Sequence, residues 1–297
     1  ESNPRNPLIT HRNLRHDYPI NSTGHADLIQ LADGSWWAVL LASRPDGGDF
    51  RNLGRETFAV PVIWEDEWPV FSPQTGRVEF SYPAPDLTPH LWSQPSACDH
   101  FDGPELPLHW NILRTPDHPF YSLTEYLRLS LLPETLSDIA SPSFVGRRQQ
   151  HMDCDISTKF FFQPTTPGES AGMTIFYNNL NYYTLLLTME DSNTTSLTLT
   201  CCEKGISTVL KSQPISQNPL FLKAEIRHQK IQFLYRASSE SWISLGEPVS
   251  GTMLNKENGG GFTGTYLGMY ASSHRHSTTS YTDFQWFEYL PILTEKS

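Results

Sequence analysis

Short runs in which apolar residues alternate with polar ones, or stand together for a few positions, recur along the whole chain and are each cut off by Gly, Pro, Asn or Asp. They occupy residues 35–41 (Ser-Trp-Trp-Ala-Val-Leu-Leu), 57–62, 174–177, 183–187, 197–199 and 231–235. Successive side chains of a strand point to opposite faces, whereas a helix repeats every 3.6 residues. Period two bounded by turn formers therefore predicts strands. Residues 123–132 could pass for a helix, but the alternation of Leu127, Leu129 and Leu131 predicts a strand there too. The pattern predicts an all-β protein.

Between 80 and 95 this pattern stops, and Pro83, Pro85, Pro89 and Pro95 take over. Proline cannot donate to a ladder, so the stretch reads as a linker or covering segment. It sets the expected division into residues 1–90 and 91–297. A chain of 297 residues has room for about two domains, each with its own core. No fixed-period repeat is visible, although propeller blades can repeat in structure without repeating in sequence.

A hydrophobic share of 38% with only 18% charged residues describes a folded chain and excludes disorder. The formal charge of −11, from 21 basic and 32 acidic residues, would repel phosphate, and Arg147-Arg148 is the basic pair that stands out. Nucleic acid and membrane are therefore not expected partners, and no apolar run approaches the ~20 residues needed to cross a bilayer. Eight Trp, 12 Tyr and 16 Phe suit a neutral ligand that stacks on ring faces, of which sugars are one example. Cys98, Cys154, Cys201 and Cys202 lack metal-ligand spacing and read as free thiols, with adjacent Cys201 and Cys202 on opposite faces of a strand. The chain opens on Glu1 and a polar stretch, so its natural start is expected to be absent; the compartment stays open between secreted and cytoplasmic. Asn21-Ser22-Thr23 and Asn193-Thr194-Thr195 would mark surface loops in a secreted protein.

Asn6-Pro7-Leu8-Ile9-Thr10, Thr23-Gly24-His25-Ala26-Asp27-Leu28 and Asn52-Leu53-Gly54-Arg55-Glu56-Thr57-Phe58, the last continuing to Trp68-Pro69-Val70, together resemble the late blades of the five-bladed propeller of family 43 glycoside hydrolases. The runs Phe101-Asp102-Gly103, Phe144-Val145-Gly146-Arg147-Arg148-Gln149, Ala171-Gly172-Met173-Thr174-Ile175-Phe176-Tyr177-Asn178, Phe262-Thr263-Gly264-Thr265-Tyr266-Leu267-Gly268-Met269-Tyr270 and Asp283-Phe284-Gln285-Trp286-Phe287-Glu288-Tyr289 resemble the concanavalin A-like sandwich of that family's β-xylosidase and α-arabinofuranosidase branch. The resemblance implies a partial five-bladed β-propeller over residues 1–90, followed by a concanavalin A-like antiparallel β-sandwich over 91–297. It also implies a C-terminal portion of an enzyme that cleaves terminal xylose or arabinose from xylan-type oligosaccharides with inversion. In that family an aspartate base, a second aspartate that orients and tunes, and a glutamate acid come from earlier blades, and the pattern met here begins after all three. Inversion needs two carboxyl groups about 6.5–9.5 Å apart, one protonating the leaving oxygen and one activating water. The chain is accordingly expected to be inactive alone, with no catalytic residue assigned. The alternative is a non-catalytic carbohydrate-binding or structural sandwich module.

The resemblance implies substrate-side roles for Arg55, His25 and Phe262. The guanidinium fork of Arg55 could grip two sugar hydroxyls or steady a carboxylate, against an ordinary salt bridge. His25 matches a histidine near the propeller axis, beside water or a divalent cation such as Ca²⁺, against a histidine satisfied inside a core. Phe262, after Gly259-Gly260-Gly261, matches a ring that reaches from the sandwich to close the propeller pocket, against a core Phe at a strand start. Arg55 and His25 should face the same side of the blade, with Phe262 the nearest sandwich residue. Asp27 and Glu56 are read as structural hydrogen-bonding groups, and Trp36 and Trp37 as packing residues that face opposite ways. For Arg147 and Arg148 an internal salt bridge or an inter-domain clamp is expected. No cofactor is required. The implied partners are a xylo- or arabino-oligosaccharide, the earlier propeller blades, and further copies of the chain in a homo-oligomer.

Overall fold

The computed structural model describes residues 1–15, 17–216, 218–237 and 241–293, and the numbers and absences given below are of these residues. Strands β1 (Asn21–Gln30), β2 (Trp36–Ser43), β3 (Glu56–Glu65) and β4 (Trp68–Phe71) pair antiparallel in chain order as one sheet. Alternation gives it two faces. Ala38, Leu40, Ala42, Val60, Val62 and Phe71 turn into a small core with Ile20 and Val78, while Val39 and Ile63 on the other face remain exposed. Asp66 and Glu67 adopt positive φ in the two-residue turn from β3 to β4, the geometry that matches the twist of paired strands.

Residues 1–20 and 72–97 contain no strand, so strands fill less of the first 90 residues than the sequence pattern suggests. These segments cover the sheet instead of extending it. Buried His11 ties them together: the Val78 amide donates to its Nε2 at 2.9 Å. The ring proton therefore sits on Nδ1, which donates to the Ile20 carbonyl at 2.6 Å.

The remaining strands are β5 (Cys98–Asp99), β6 (Trp110–Ile112), β7 (Tyr121–Leu123), β8 (Leu127–Ser130), β9 (Ser143–Arg148), β10 (Asp153–Phe162), β11 (Ser170–Asn178), β12 (Asn181–Asp191), β13 (Thr194–Glu203), β14 (Ile206–Pro214), β15 (Leu220–Arg227), β16 (Lys230–Ala237), β17 (Ile243–Ser244), β18 (Val249–Ser250), β19 (Tyr266–Ser272) and β20 (Tyr281–Pro291). They form two sheets. One runs β17-β16-β15-β10-β20-β8-β7, with β18 on β16 and β5 on β20; the other runs β14-β13-β12-β11-β19-β9-β6. The facing sides interdigitate in one apolar core, to which β8 gives Leu127 and Leu129, β10 gives Ile156 and Phe160, and β11 gives Met173 and Ile175. A second cluster, including Phe144, Phe176, Tyr182 and Tyr270, lies under Leu136 on the outer side of the second sheet. Cys201 packs against the inter-sheet core and Cys202 belongs to the outer cluster, as strand alternation requires. All four cysteines are free. Helix is confined to a 3-10 turn at Gly251–Met253 and a single turn, α1 (Lys256–Gly259). No helix is long and apolar enough to cross a membrane.

Candidate functional site

The loop from β2 to β3 (residues 44–55) meets three parts of the sandwich. Near its start, Asp46 accepts from Gln229 Nε2 at 3.0 Å and bonds His228 Nδ1 at 2.6 Å, both in the β15–β16 turn. In the middle, Asn52 donates to the Gly251 carbonyl at 2.8 Å, and its own carbonyl accepts from the Thr265 amide at 2.8 Å. At its end, the Leu53 carbonyl accepts from Arg148 Nη2 at 2.7 Å. Of the basic pair, then, Arg148 clamps the blade to the sandwich. Arg147 is buried, with its Cζ 4.6 Å from the Tyr289 ring centroid, and burial pushes its guanidinium pKa down.

Two glycines bring the backbones together. Gly54 has φ +70°, and a Cβ there would lie 2.5 Å from the Gly264 amide nitrogen; a Cβ on Gly264 would lie 2.2 Å from the Leu53 oxygen. Neither space admits a side chain.

The His228–Asp46 contact gives the junction a pH dependence. Hydrogen bonding to Asp46 raises the imidazole above its usual 6.5, against partial desolvation. A group raised in the folded state contributes its stability fully below the unfolded value and loses it as pH rises through the folded value. Burial shifts His109, His151 and His274 the other way, so the total slope is a sum. The difference in Tm between the parent and His228→Gln should therefore be largest at about pH 6 and shrink by about pH 8. Thermal melts across that range check it, and a difference that grows with pH would contradict it.

The Gly54–Gly264 contact positions the residues on either side. Phe262 is carried on a loop anchored by buried Met253 and Leu254 and by Thr265 Oγ1, which donates to the Leu254 carbonyl at 2.8 Å. Asn178 donates to the Gly259 carbonyl at 2.8 Å, and the Tyr177 hydroxyl donates to the Gly260 carbonyl. Gly260 and Gly261 take φ of +72° and +74°, which lets the chain turn back. Phe262 leaves this loop 58% exposed, outside the sandwich core. The Arg55 Cζ lies 4.0 Å from its ring centroid and the Lys256 Nζ lies 5.2 Å from it. A guanidinium over an aromatic face is held by the ring quadrupole.

Ser22, Ser43, Arg51, Arg55, Lys256 and Phe262 line a cleft of only about 40 Å³, which makes it one wall of a site and not a closed pocket. None of these is a carboxylate. Glu257 is ion-paired with Arg51. Glu56 accepts three hydrogen bonds from Arg44, at 2.7 to 3.2 Å. It opens onto a different depression with Trp37 and Tyr82. Trp37 meets Tyr82 edge to face and Trp36 meets Trp64.

His25 does not line the Arg55–Phe262 cleft. It is exposed on β1 with φ +54°, within the register shift between Gly24 and Asp27 in the pairing with β2. Asp27, at the far end of this shift, is also exposed. Among the described residues no three His, Cys, Asp or Glu side chains come close enough to share a metal ion. Ca²⁺ takes six to eight oxygen ligands, and the imidazole of His25 does not supply such a set.

Two sequence-family models cover these parts. Residues 98–290 match the β-xylosidase C-terminal concanavalin A-like domain, and residues 1–69 match glycosyl hydrolases family 43. The chain belongs to glycoside hydrolase family 43. Within this family it is 37% identical over 294 residues to a non-reducing end α-L-arabinofuranosidase of Bacteroides ovatus, covering 97% of this chain and 55% of that protein. It is 35% identical to a xylosidase/arabinosidase of Butyrivibrio fibrisolvens, covering 97% and 56%. Among solved structures, the family 43 BlXynB protein of Bacillus licheniformis superposes with a TM-score of 0.90 at 32% identity, covering 98% of this chain and 57% of that one. The chain thus spans about half the length of the family 43 relatives it matches, and what it matches is their late-propeller and sandwich part.

Proposed function

We propose that this chain supplies the last blade and the sandwich of a family 43 glycosidase that removes terminal xylose or arabinose from xylan-type oligosaccharides with inversion. The observation that carries the reading is the Arg55 guanidinium seated on the Phe262 ring across the junction. A cation and an exposed ring from two different parts of the fold converge there beside a cleft that contains no carboxylate. In this reading Arg55 directs its N–H fork at sugar hydroxyls or at a carboxylate of an earlier blade, and Phe262 presents a hydrophobic wall to the sugar ring. The catalytic carboxylates belong to earlier blades, which would also cover Val39 and Ile63 on the exposed face of the blade sheet. His25, exposed on β1 outside this cleft, would meet water or a divalent cation held together with the earlier blades.

Combining this chain with a polypeptide that carries the family's earlier blades and adding p-nitrophenyl β-xyloside or p-nitrophenyl α-arabinofuranoside, each of which releases a single pentose, provides the test. Proton NMR should show α-xylose or β-arabinofuranose as the first anomer released, since inversion reverses the glycosidic configuration in a single displacement. First release of the pentose with its substrate's own configuration, or of no pentose from either substrate, would overturn the proposal.

A further inference from the structure

Strand β10 begins at the junction, where Asp153 accepts from the His228 amide at 2.7 Å. Eight residues further along it stands Phe161, roughly 26 Å away at about 3.3 Å per residue. There Phe161 and Tyr281 line a cleft of about 470 Å³ on the outer side of the first sandwich sheet, within the range of ligand-binding pockets. Both rings are exposed, by 37% and 47%. Tyr281 is also held in place. The Arg128 Cζ sits 3.6 Å from the Tyr281 centroid, and the same guanidinium donates to both oxygens of Asp283 at 2.7 and 2.8 Å. Phe161 pairs in register with Asp283, so the two rings stand on neighbouring strands of one face. One face of Tyr281 is taken by the guanidinium, and the ring has no need to be ordered when a ligand arrives.

The polar groups of the cleft are uncharged or neutralised. Asp283 is its carboxylate and is ion-paired. The Gln163 amide lies opposite Tyr281 by continuation of the Phe161↔Asp283 and Phe162↔Thr282 register. Gln163 and the Thr279 hydroxyl line the cleft without a side-chain hydrogen-bond partner among the described residues. Two exposed rings, with free amide and hydroxyl groups and no net charge among the lining side chains, match a ligand that has apolar C–H faces and hydroxyl rims. In a chain of net charge −11 an anionic ligand would be repelled.

We propose that this cleft is a second carbohydrate subsite, which holds an internal stretch of a neutral xylan-type chain on Phe161 and Tyr281, independently of Arg55 and Phe262. The choice of sugar rests on the glycosidase reading above; the existence of the site does not. Isothermal titration of the chain with xylohexaose tests it, alongside three variants checked for unchanged circular dichroism: Phe161→Ala/Tyr281→Ala, Gln163→Arg, and Arg55→Ala/Phe262→Ala. The parent should bind, and the double ring variant should bind at least roughly tenfold more weakly. Gln163→Arg, which puts a cationic side chain in the cleft without touching the core, should also weaken binding. In the junction variant the binding that the ring variant removes should persist, whatever the Arg55–Phe262 wall itself adds. Absence of binding by the parent, or binding unaffected by the ring variant, would overturn the subsite. Loss of binding only in the junction variant would also overturn it, while leaving the glycosidase reading in place.

Discussion

Given p-nitrophenyl β-xyloside or α-arabinofuranoside, the purified chain alone should release p-nitrophenol no faster than buffer. The carboxylates nearest the candidate site are all committed or misplaced. Glu56 is held by Arg44 and Glu257 by Arg51, and Asp27 is exposed on β1 and does not line the Arg55–Phe262 cleft. General acid or base assistance is worth about 10²–10⁴-fold per group. Arg55 and Phe262 could bind a sugar, but binding that is equal in ground and transition states does not raise the chemical rate. Adding the earlier blades should bring turnover. An Asp27→Asn/Glu56→Gln variant is the control: turnover by the parent alone that vanishes in this variant would make those two residues a catalytic pair and contradict the account.

The largest stability effect is expected from Gly264→Val. A Cβ there would stand 2.2 Å from the Leu53 oxygen and 2.4 Å from Arg148 Nη2, and the first of these is backbone and cannot move aside alone. The blade loop must retreat, and it takes with it the Asn52–Gly251, Thr265–Asn52 and Arg148–Leu53 hydrogen bonds. Overpacking costs about 1–3 kcal/mol, and each buried group left unpaired adds about 1–3 kcal/mol. At roughly 2–4 °C per kcal/mol for a chain of this size, the blade sheet should melt well below its position in the parent. The sandwich, whose core does not include this contact, should keep its own transition. Calorimetry of the variant should therefore show two separated transitions, and a single transition at the parent's temperature would contradict the proposed junction.

Strand content could be read from the sequence wherever a strand has one face in a core, as β15 does, which imposes period two, whereas β11, buried on both faces, shows only a short apolar run. Leu127 and Leu129 announced β8 in this way and are buried, although residues 123–132 form the end of β7, a turn and β8, with buried Leu131 just beyond it. The prolines of 80–95 marked most of the strandless 72–97 segment, but nothing in the pattern marked residues 1–20 as strandless or showed how the two segments are held. Their order comes from long-range contacts such as His11 with Val78, a pairing across 67 positions that leaves no local pattern. At the candidate site, the Gly-rich run before Phe262 pointed to a special turn, and positive φ at Gly260 and Gly261 accounts for it. Asp46, Asn52, His228 and Gln229 escaped notice because polar residues in turns look like ordinary solvated loops until the fold brings two turns together. The cleft at Phe161 and Tyr281 was hidden for a related reason: its members are separated by 120 positions and meet only because β20 pairs with β10.

The central claim is that Arg55 and Phe262 form the substrate-side wall of a family 43 active site. A double-mutant cycle on kcat/KM in the protein combined with its earlier blades tests it most directly. Arg55→Ala should lower kcat/KM by about 10²-fold or more, as expected for loss of a charged donor aimed at the reacting sugar. Phe262→Ala should lower it by a smaller factor. The double variant should lose less than the product of the two, because the side chains touch each other. If both single variants keep parental kcat/KM while folding normally, the contact is structural and the account of the site is wrong.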